Sequence, residues 1–141
     1  MLFRSAASAR RNQVDSVCRF ERGEVFAELE RRGAAGETFD VVIADPPAFV
    51  KSRKDLAAGA RGYRKLARLS AAVTSPGGFL FFASCSYNLD RATFDEQLRL
   101  GLADARRTGR VLRESAAAAD HPVHPALPES SYLKAAILQL D

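Results

Sequence analysis

The stretch VVIADPPAFVKSRKD, from Val41 to Asp55, decides how the chain is read. It opens as a run of β-branched and apolar residues, stops on a carboxylate at Asp45, turns through Pro46 and Pro47, presents Phe49 and then becomes basic. With Phe39 and Asp40 in front, FDVVIAD is apolar on both of its faces, the pattern of a central parallel strand covered on two sides. Consecutive prolines hold φ near about −65° and remove two amide donors. The turn is therefore stiff, and its carbonyls are free to face a ligand.

Working outward, GFLFFASCS (Gly78 to Ser86) is a second strand of the same doubly buried kind. Between the two strands lie a helix from about Asp55 to Val73, weakened early by Gly59 and Gly62, and a turn at SPGG, Ser75 to Gly78. Upstream, Ala6 to Gln13 suits the end of a helix, VCRF (Val17 to Phe20) a short strand, and Val25 to Arg32 a helix closed by Gly33. The opening MLFRS is unlike the rest and reads as a non-native beginning. Downstream, Asp90 to Arg107 carries Phe94, Leu98 and Leu102 at helical spacing. VLRES is a short strand, ADHPVHPALPES a proline-bearing loop and YLKAAILQL a final strand. Strand and helix alternate, so the expectation is an α/β layered fold with a mostly parallel sheet.

A chain of 141 residues is one domain by length, and 47% hydrophobic with 27% charged residues is an ordinary globular composition. No apolar run approaches the roughly 18 residues that span a bilayer, and no signal peptide is evident, so the reading is cytoplasmic, with no membrane partner. Cys18 and Cys85 are two free thiols, Cys18 a core residue far from any motif. The net charge of +4 permits nucleic-acid binding. Its distribution says more: Lys51, Arg53, Lys54, Arg61, Arg64, Lys65 and Arg68 face only Asp55.

In open α/β sheets ligands bind outside the carboxyl ends of the strands. That selects Asp45-Pro46-Pro47 after one strand and Ser84-Cys85-Ser86 after the next, facing one crevice.

DPPAF, SPGG, SCS, DHPV and YLK, in that order, resemble the C-terminal half of a class I S-adenosylmethionine-dependent methyltransferase. The resemblance runs from about Ala6 to Asp141 and is strongest to the bacterial 23S ribosomal RNA cytosine-5 methyltransferases. It implies a Rossmann-like sheet, mostly parallel with an antiparallel C-terminal strand, here lacking the first two strands. It also implies S-adenosyl-L-methionine as cofactor and ribosomal RNA as partner. The glycine-rich loop that cradles the cofactor in that family has no counterpart, since the glycines fall in GAAG, GARG and GG. The chain by itself is therefore expected to be inactive and to bind the cofactor weakly or not at all. The family pattern leaves Glu24 where an acid bonds the adenine amino group; a first-turn acid favoured by the helix dipole explains it as well. Asp45, Pro46 and Pro47 complete the expected cofactor side.

Cytosine C5 is a weak nucleophile. A thiolate added at C6 makes an enamine-like intermediate whose C5 takes the methyl group, after which a base removes the C5 proton and the thiol leaves. Cys85, at the end of a strand and between two serines, is the candidate nucleophile, against the alternative of a small core residue. Asp45 across the crevice would bond the N3 and amino edge of the base, against the alternative of an acid ending a strand. Phe49 comes one residue later than the aromatic of amino-directed enzymes and could stack on a base or line the cofactor pocket. Lys51, Arg53, Lys54, Arg61 and Arg64 would meet RNA phosphates, or form a solvated helix face. Tyr63 would stack on a nucleotide or pack into the core. His121 and His124 have only Asp120 nearby and no metal-ligand spacing; His121 is expected to bond backbone near the active site. Two other functions stay open: a guanine- or amino-directed RNA methyltransferase with Cys85 structural, and a non-catalytic RNA-binding module.

Overall fold

The computed structural model describes residues 2–141, with side chains from residue 4 onward. Helices α1 (Leu2–Arg11) and α2 (Val25–Ala34) precede strand β1 (Phe39–Ala44). Then follow α3 (Leu56–Ala72), β2 (Thr74–Ser84), α4 (Arg91–Asp104), β3 (Gly109–Ser115) and β4 (Lys134–Leu140). The reading of MLFRS starts on Met1, outside the described residues; Leu2 to Ser5 belong to α1.

One sheet holds the four strands in the order β1-β2-β4-β3. β1 and β2 are parallel, and β4 is antiparallel to both of its neighbours. Three strands thus run one way and the C-terminal strand is reversed, the Rossmann-like arrangement that the resemblance implied.

The core lies on one face of this sheet. Val42 and Ala44 of β1, Leu80 and Phe82 of β2, and Ala136, Leu138 and Leu140 of β4 meet Tyr63, Leu66 and Ala67 of α3 and Phe94 and Leu98 of α4. Phe82 packs edge-on against Tyr63 and stacks with Phe94. The two helices cross tightly at Gly101, where a Cβ would come within 2.5 Å of the Ala67 Cβ and 2.7 Å of the Arg64 carbonyl. A residue with no side chain is the only one that fits such a crossing. Gly59 has the same role against the turn after β1, because a Cβ there would lie 2.7 Å from the Phe49 carbonyl oxygen. Gly59 therefore costs α3 some helix propensity and supplies a close contact in return.

Several expectations are corrected. β1, and the first half of β2, are covered on one face only: Val41, Ile43 and Phe79 are exposed, Ile43 at 70%, whereas Ala83 near the end of β2 is buried. VCRF is not a strand, and Cys18 is exposed rather than in the core. A strand needs a neighbour to satisfy its backbone, and no described strand pairs with β1 on its free edge. SPGG is not a separate turn but an irregular part of β2, with Gly77 at φ +75° and the register with β1 jumping from Thr74 to Phe79.

Candidate active site

The parallel register, with Ala44 opposite Phe82, brings the ends of β1 and β2 side by side. The turn Asp45-Pro46-Pro47 leaves one and Cys85-Ser86 the other, and the Cys85 thiol lies 3.8 Å from the Pro46 carbonyl oxygen that accepts from it. A cavity of about 580 Å³ opens here, lined by Asp45, Pro46, Pro47 and Cys85 together with Asp120, His121 and Tyr132 from the loop between β3 and β4. On the other side of the same turn a second cavity of about 340 Å³ is lined by Glu24, Phe26, Asp45, Pro46, Pro47 and Phe49. The Asp-Pro-Pro turn is thus the shared wall of two cavities. All four residues expected on the cofactor side line the smaller one, and both expected catalytic residues line the larger.

A buried hydroxyl cluster fixes this geometry. Tyr63, Ser84 and Ser86 are fully buried. The Tyr63 hydroxyl lies 2.8 Å from the Ser86 Oγ and accepts from the Ser84 Oγ at 2.8 Å. The Val50 amide donates to the Ser86 Oγ at 3.2 Å, and the Phe49 amide to the Tyr63 oxygen at 3.5 Å. Each oxygen so joined would cost about 1–3 kcal/mol if left unpaired in the core. The cluster ties the loop after β1 to the end of β2. Tyr63 is therefore not available to stack on a nucleotide; its ring is core and its hydroxyl is a clamp.

Lys134 was not singled out from the sequence. It is buried, opposite Ser84 in the sheet, and its Nζ donates to the Ser86 carbonyl at 3.0 Å and the Tyr132 carbonyl at 2.7 Å. Burial pushes its ammonium below the ordinary lysine range, opposed by the negative charges of Asp90 and Cys85, while Arg91 adds to the lowering. A single lysine inside the apolar run YLKAAILQL was the available signal.

Glu24 caps α2, its Oε2 accepting from the Ala27 amide at 2.9 Å, while it also lines the smaller cavity. Both of its readings therefore stay compatible with one position. Arg64 is paired with Asp104 in bidentate geometry at 2.6 and 2.7 Å, unlike the other basic residues expected to meet phosphates. Lys65 is likewise engaged, with Glu30 and the Phe26 ring. Lys51, Arg53, Lys54 and Arg61 are exposed, and none has a side-chain ion pair or hydrogen bond among the described residues. His121 bonds the Tyr132 hydroxyl through Nε2 at 2.9 Å rather than backbone, and the His124 Nδ1 accepts from the Ala126 amide. Among the described residues no helix is long and apolar enough to cross a membrane, and no group of His, Cys, Asp and Glu is arranged to hold a metal.

Two solved structures match this architecture. One is a methyltransferase complexed with SAH, with a TM-score of 0.66 and 23% identity, covering 83% of this chain and 30% of that one. The other is a SAM-dependent methyltransferase from Streptococcus mutans, with a TM-score of 0.65 and 24% identity over 83% of this chain and 29% of that one. The chain shares its fold with these methyltransferases. In sequence it is similar to proteins named ribosomal RNA large subunit methyltransferase I. It is 39% identical to that of Serratia proteamaculans over 87% of this chain and 31% of the relative. The Yersinia pseudotuberculosis protein (strain YPIII) is 40% identical over the same shares, and that of Aeromonas salmonicida 35% over 94% of this chain and 34% of the relative. The chain thus spans about a third of the length of these relatives. No protein-family model matches it.

Proposed function

We propose that this chain carries part of the catalytic site of an S-adenosylmethionine-dependent methyltransferase acting on ribosomal RNA, with cytosine C5 as the target and Cys85 as the nucleophile. The observation that carries the reading is the shared wall: one stiff turn separates a small cavity edged by Glu24 and Asp45 from a larger one holding Cys85.

The smaller cavity fits the cofactor. Val25, Phe26, Ile43, Ala44, Phe49 and Leu66 give it apolar walls suited to an adenine face, and Glu24 at its edge would accept from the adenine amino group. Glu24, Asp45, Pro46 and Pro47 would hold it there. S-adenosylmethionine supplies the methyl group when bound.

In the larger cavity Cys85 adds to C6 of the base, breaking the C5–C6 double bond and placing electron density on C5. Asp45 in its protonated form would donate to N3 and accept from the amino group, so that a proton meets the charge that builds on the ring as the thiolate adds. C5 takes the methyl group, the C5 proton is lost to a base, and the thiolate leaves as the double bond re-forms. Lys51, Arg53, Lys54 and Arg61 form the exposed basic surface that would meet the RNA backbone, and the reaction is placed in the cytoplasm.

The test is a chimera in which residues 6–141 replace the matched segment of the Serratia relative, given the cofactor and ribosomal RNA containing 5-fluorocytosine. A fluorine at C5 cannot be lost as a proton, so a covalent RNA adduct should accumulate and should vanish in Cys85→Ala. Methyl transfer retained in Cys85→Ala would leave the guanine- or amino-directed reading. Salt-dependent RNA binding with no turnover, surviving loss of both Asp45 and Cys85, would leave the binding module. For the chain alone, calorimetric titration with S-adenosylhomocysteine should show binding weaker than micromolar, and micromolar affinity would overturn that expectation.

A further inference from the structure

We propose that His121 is the general base of the larger cavity, the group that takes the C5 proton and so lets the thiolate leave. This rests on the reading of Cys85 as the nucleophile and gives the proton lost from C5 its acceptor.

Topology sets which face of the base must be served. The Asp45-Pro46-Pro47 turn is common to both cavities, whereas Cys85, Asp120, His121 and Tyr132 line only the larger. On that reading the methyl group joins C5 from the side of the shared turn. C5 is then tetrahedral, so its hydrogen points to the other face of the ring, away from the turn. The acceptor therefore belongs among the side chains that line the larger cavity alone, and the loop between β3 and β4 supplies them.

The geometry of that loop selects one. Asp45 is committed to the N3 and amino edge, and Cys85 to C6. The His121 amide donates to the Ala118 carbonyl at 2.9 Å, and Pro122 restricts the backbone of the residue before it. The imidazole meets the Tyr132 ring edge to face, with centroids 6.2 Å apart, and its Nε2 lies 2.9 Å from the Tyr132 hydroxyl. With Nε2 donating to that oxygen, Nδ1 keeps a bare lone pair, and it has no hydrogen-bond partner among the described residues. Asp120 also lines the cavity, but among the described residues no hydrogen bond or ion pair holds its carboxylate. A general base must be fixed within reach of its proton, and imidazole is the side chain that most readily accepts one near neutral pH.

In the step itself an Nδ1–H bond forms as the C5–H bond breaks. The C–H electron pair re-forms the C5–C6 double bond, and the C6–S bond breaks with its pair going to the thiolate. The imidazolium keeps its Nε2–H bond to Tyr132 and, being exposed, returns the proton to water.

The experiment gives the chimera the cofactor and ordinary ribosomal RNA, and reads the covalent protein–RNA adduct on a denaturing gel beside the release of methylated RNA. In the parent the adduct breaks down and should stay scarce. His121→Gln, without a basic nitrogen, should slow release about 100-fold or more and accumulate an adduct that already carries the methyl group. Its adduct with RNA containing 5-fluorocytosine needs no base and should form at the parental level. A His121→Gln that releases product within about threefold of the parent, or slows without adduct on ordinary RNA, overturns the proposal. Loss of the 5-fluorocytosine adduct as well would make His121 a structural residue and sink it equally. So would an adduct that accumulates in Asp120→Asn and not in His121→Gln, the carboxylate then being the base. Failure of the nucleophile reading shows separately, as a parent that forms no 5-fluorocytosine adduct.

Discussion

The two faces of the sheet are made of similar residues and meet different surroundings. On one, Leu80, Phe82 and Leu138 are buried under α3 and α4; on the other, Val41, Ile43 and Phe79 stand exposed. Alternation along β1 and β2 therefore decides burial only together with what lies over each face, and in the described residues that is helix on one side. The first way to break this contrast is to truncate one residue from each face. Phe82→Ala should cost about 3–5 kcal/mol, a buried aromatic lost with a cavity left behind. Ile43→Ala, on the open face, should cost under about 1 kcal/mol. Urea unfolding measures both, and comparable losses would mean that the open face is covered in solution.

The next contrast is between two hydroxyls. That of Tyr63 is buried and shared with Ser84 and Ser86, whereas that of Tyr132 meets His121 in a partly exposed loop. Tyr63→Phe should destabilise by about 1–3 kcal/mol because it leaves serine oxygens short of a partner in the core. Tyr132→Phe should cost less than about 1 kcal/mol. Equal effects would remove the hydroxyl cluster as the clamp between the two halves of the site.

Much of this was legible in the sequence, for reasons that differ by element. Asp45 and Cys85 could be placed together because parallel strands deliver their carboxyl ends to one edge, a rule independent of side-chain detail. The helix with Phe94 and Leu98 was readable from its period. VCRF was not, because alternation describes what a segment could bury and carries no information on whether a neighbouring strand exists to pair with it. The fate of Tyr63 was equally hidden: an aromatic among bases has the same sequence signature whether it points to solvent or, as here, into α3's buried side. Lys134 was missed because a lone lysine in the apolar run YLKAAILQL marks an unusual position without telling which carbonyls, Ser86 and Tyr132, would catch its ammonium.

Charge makes a third, smaller contrast with the apolar face. Glu28, bonded by Arg31 and Arg32, has its carboxyl held down at about 2, and Asp90, Asp104 and Asp141 are also lowered by their hydrogen bonds. A group whose folded value is depressed contributes stability above its unfolded value and loses it as pH falls through the folded one. The melting temperature should therefore be flat near neutrality and fall between about pH 5 and pH 2. Glu28→Gln should flatten part of that fall. A melting temperature that rises on acidification would reverse the sign and the assignment.

The smallest effect tests whether ion pairs matter to the covered face at all. Arg64 and Asp104 bridge α3 and α4 over the core with ideal bidentate geometry, yet their side chains are 41% and 34% exposed. At that exposure water and salt screen the attraction, and holding two long side chains still costs entropy, so the coupling in a double-mutant cycle should be about 0–1 kcal/mol and should shrink in high salt. The crossing at Gly101 works the other way: the helices already touch there, and a Cβ has nowhere to go. A coupling well above that range would mean that the pair, rather than the close helix contact beneath it, sets the distance between α3 and α4. With a small value, Arg64 could be exchanged for an uncharged residue with the sheet, its buried face and the turn beside Cys85 left as they are.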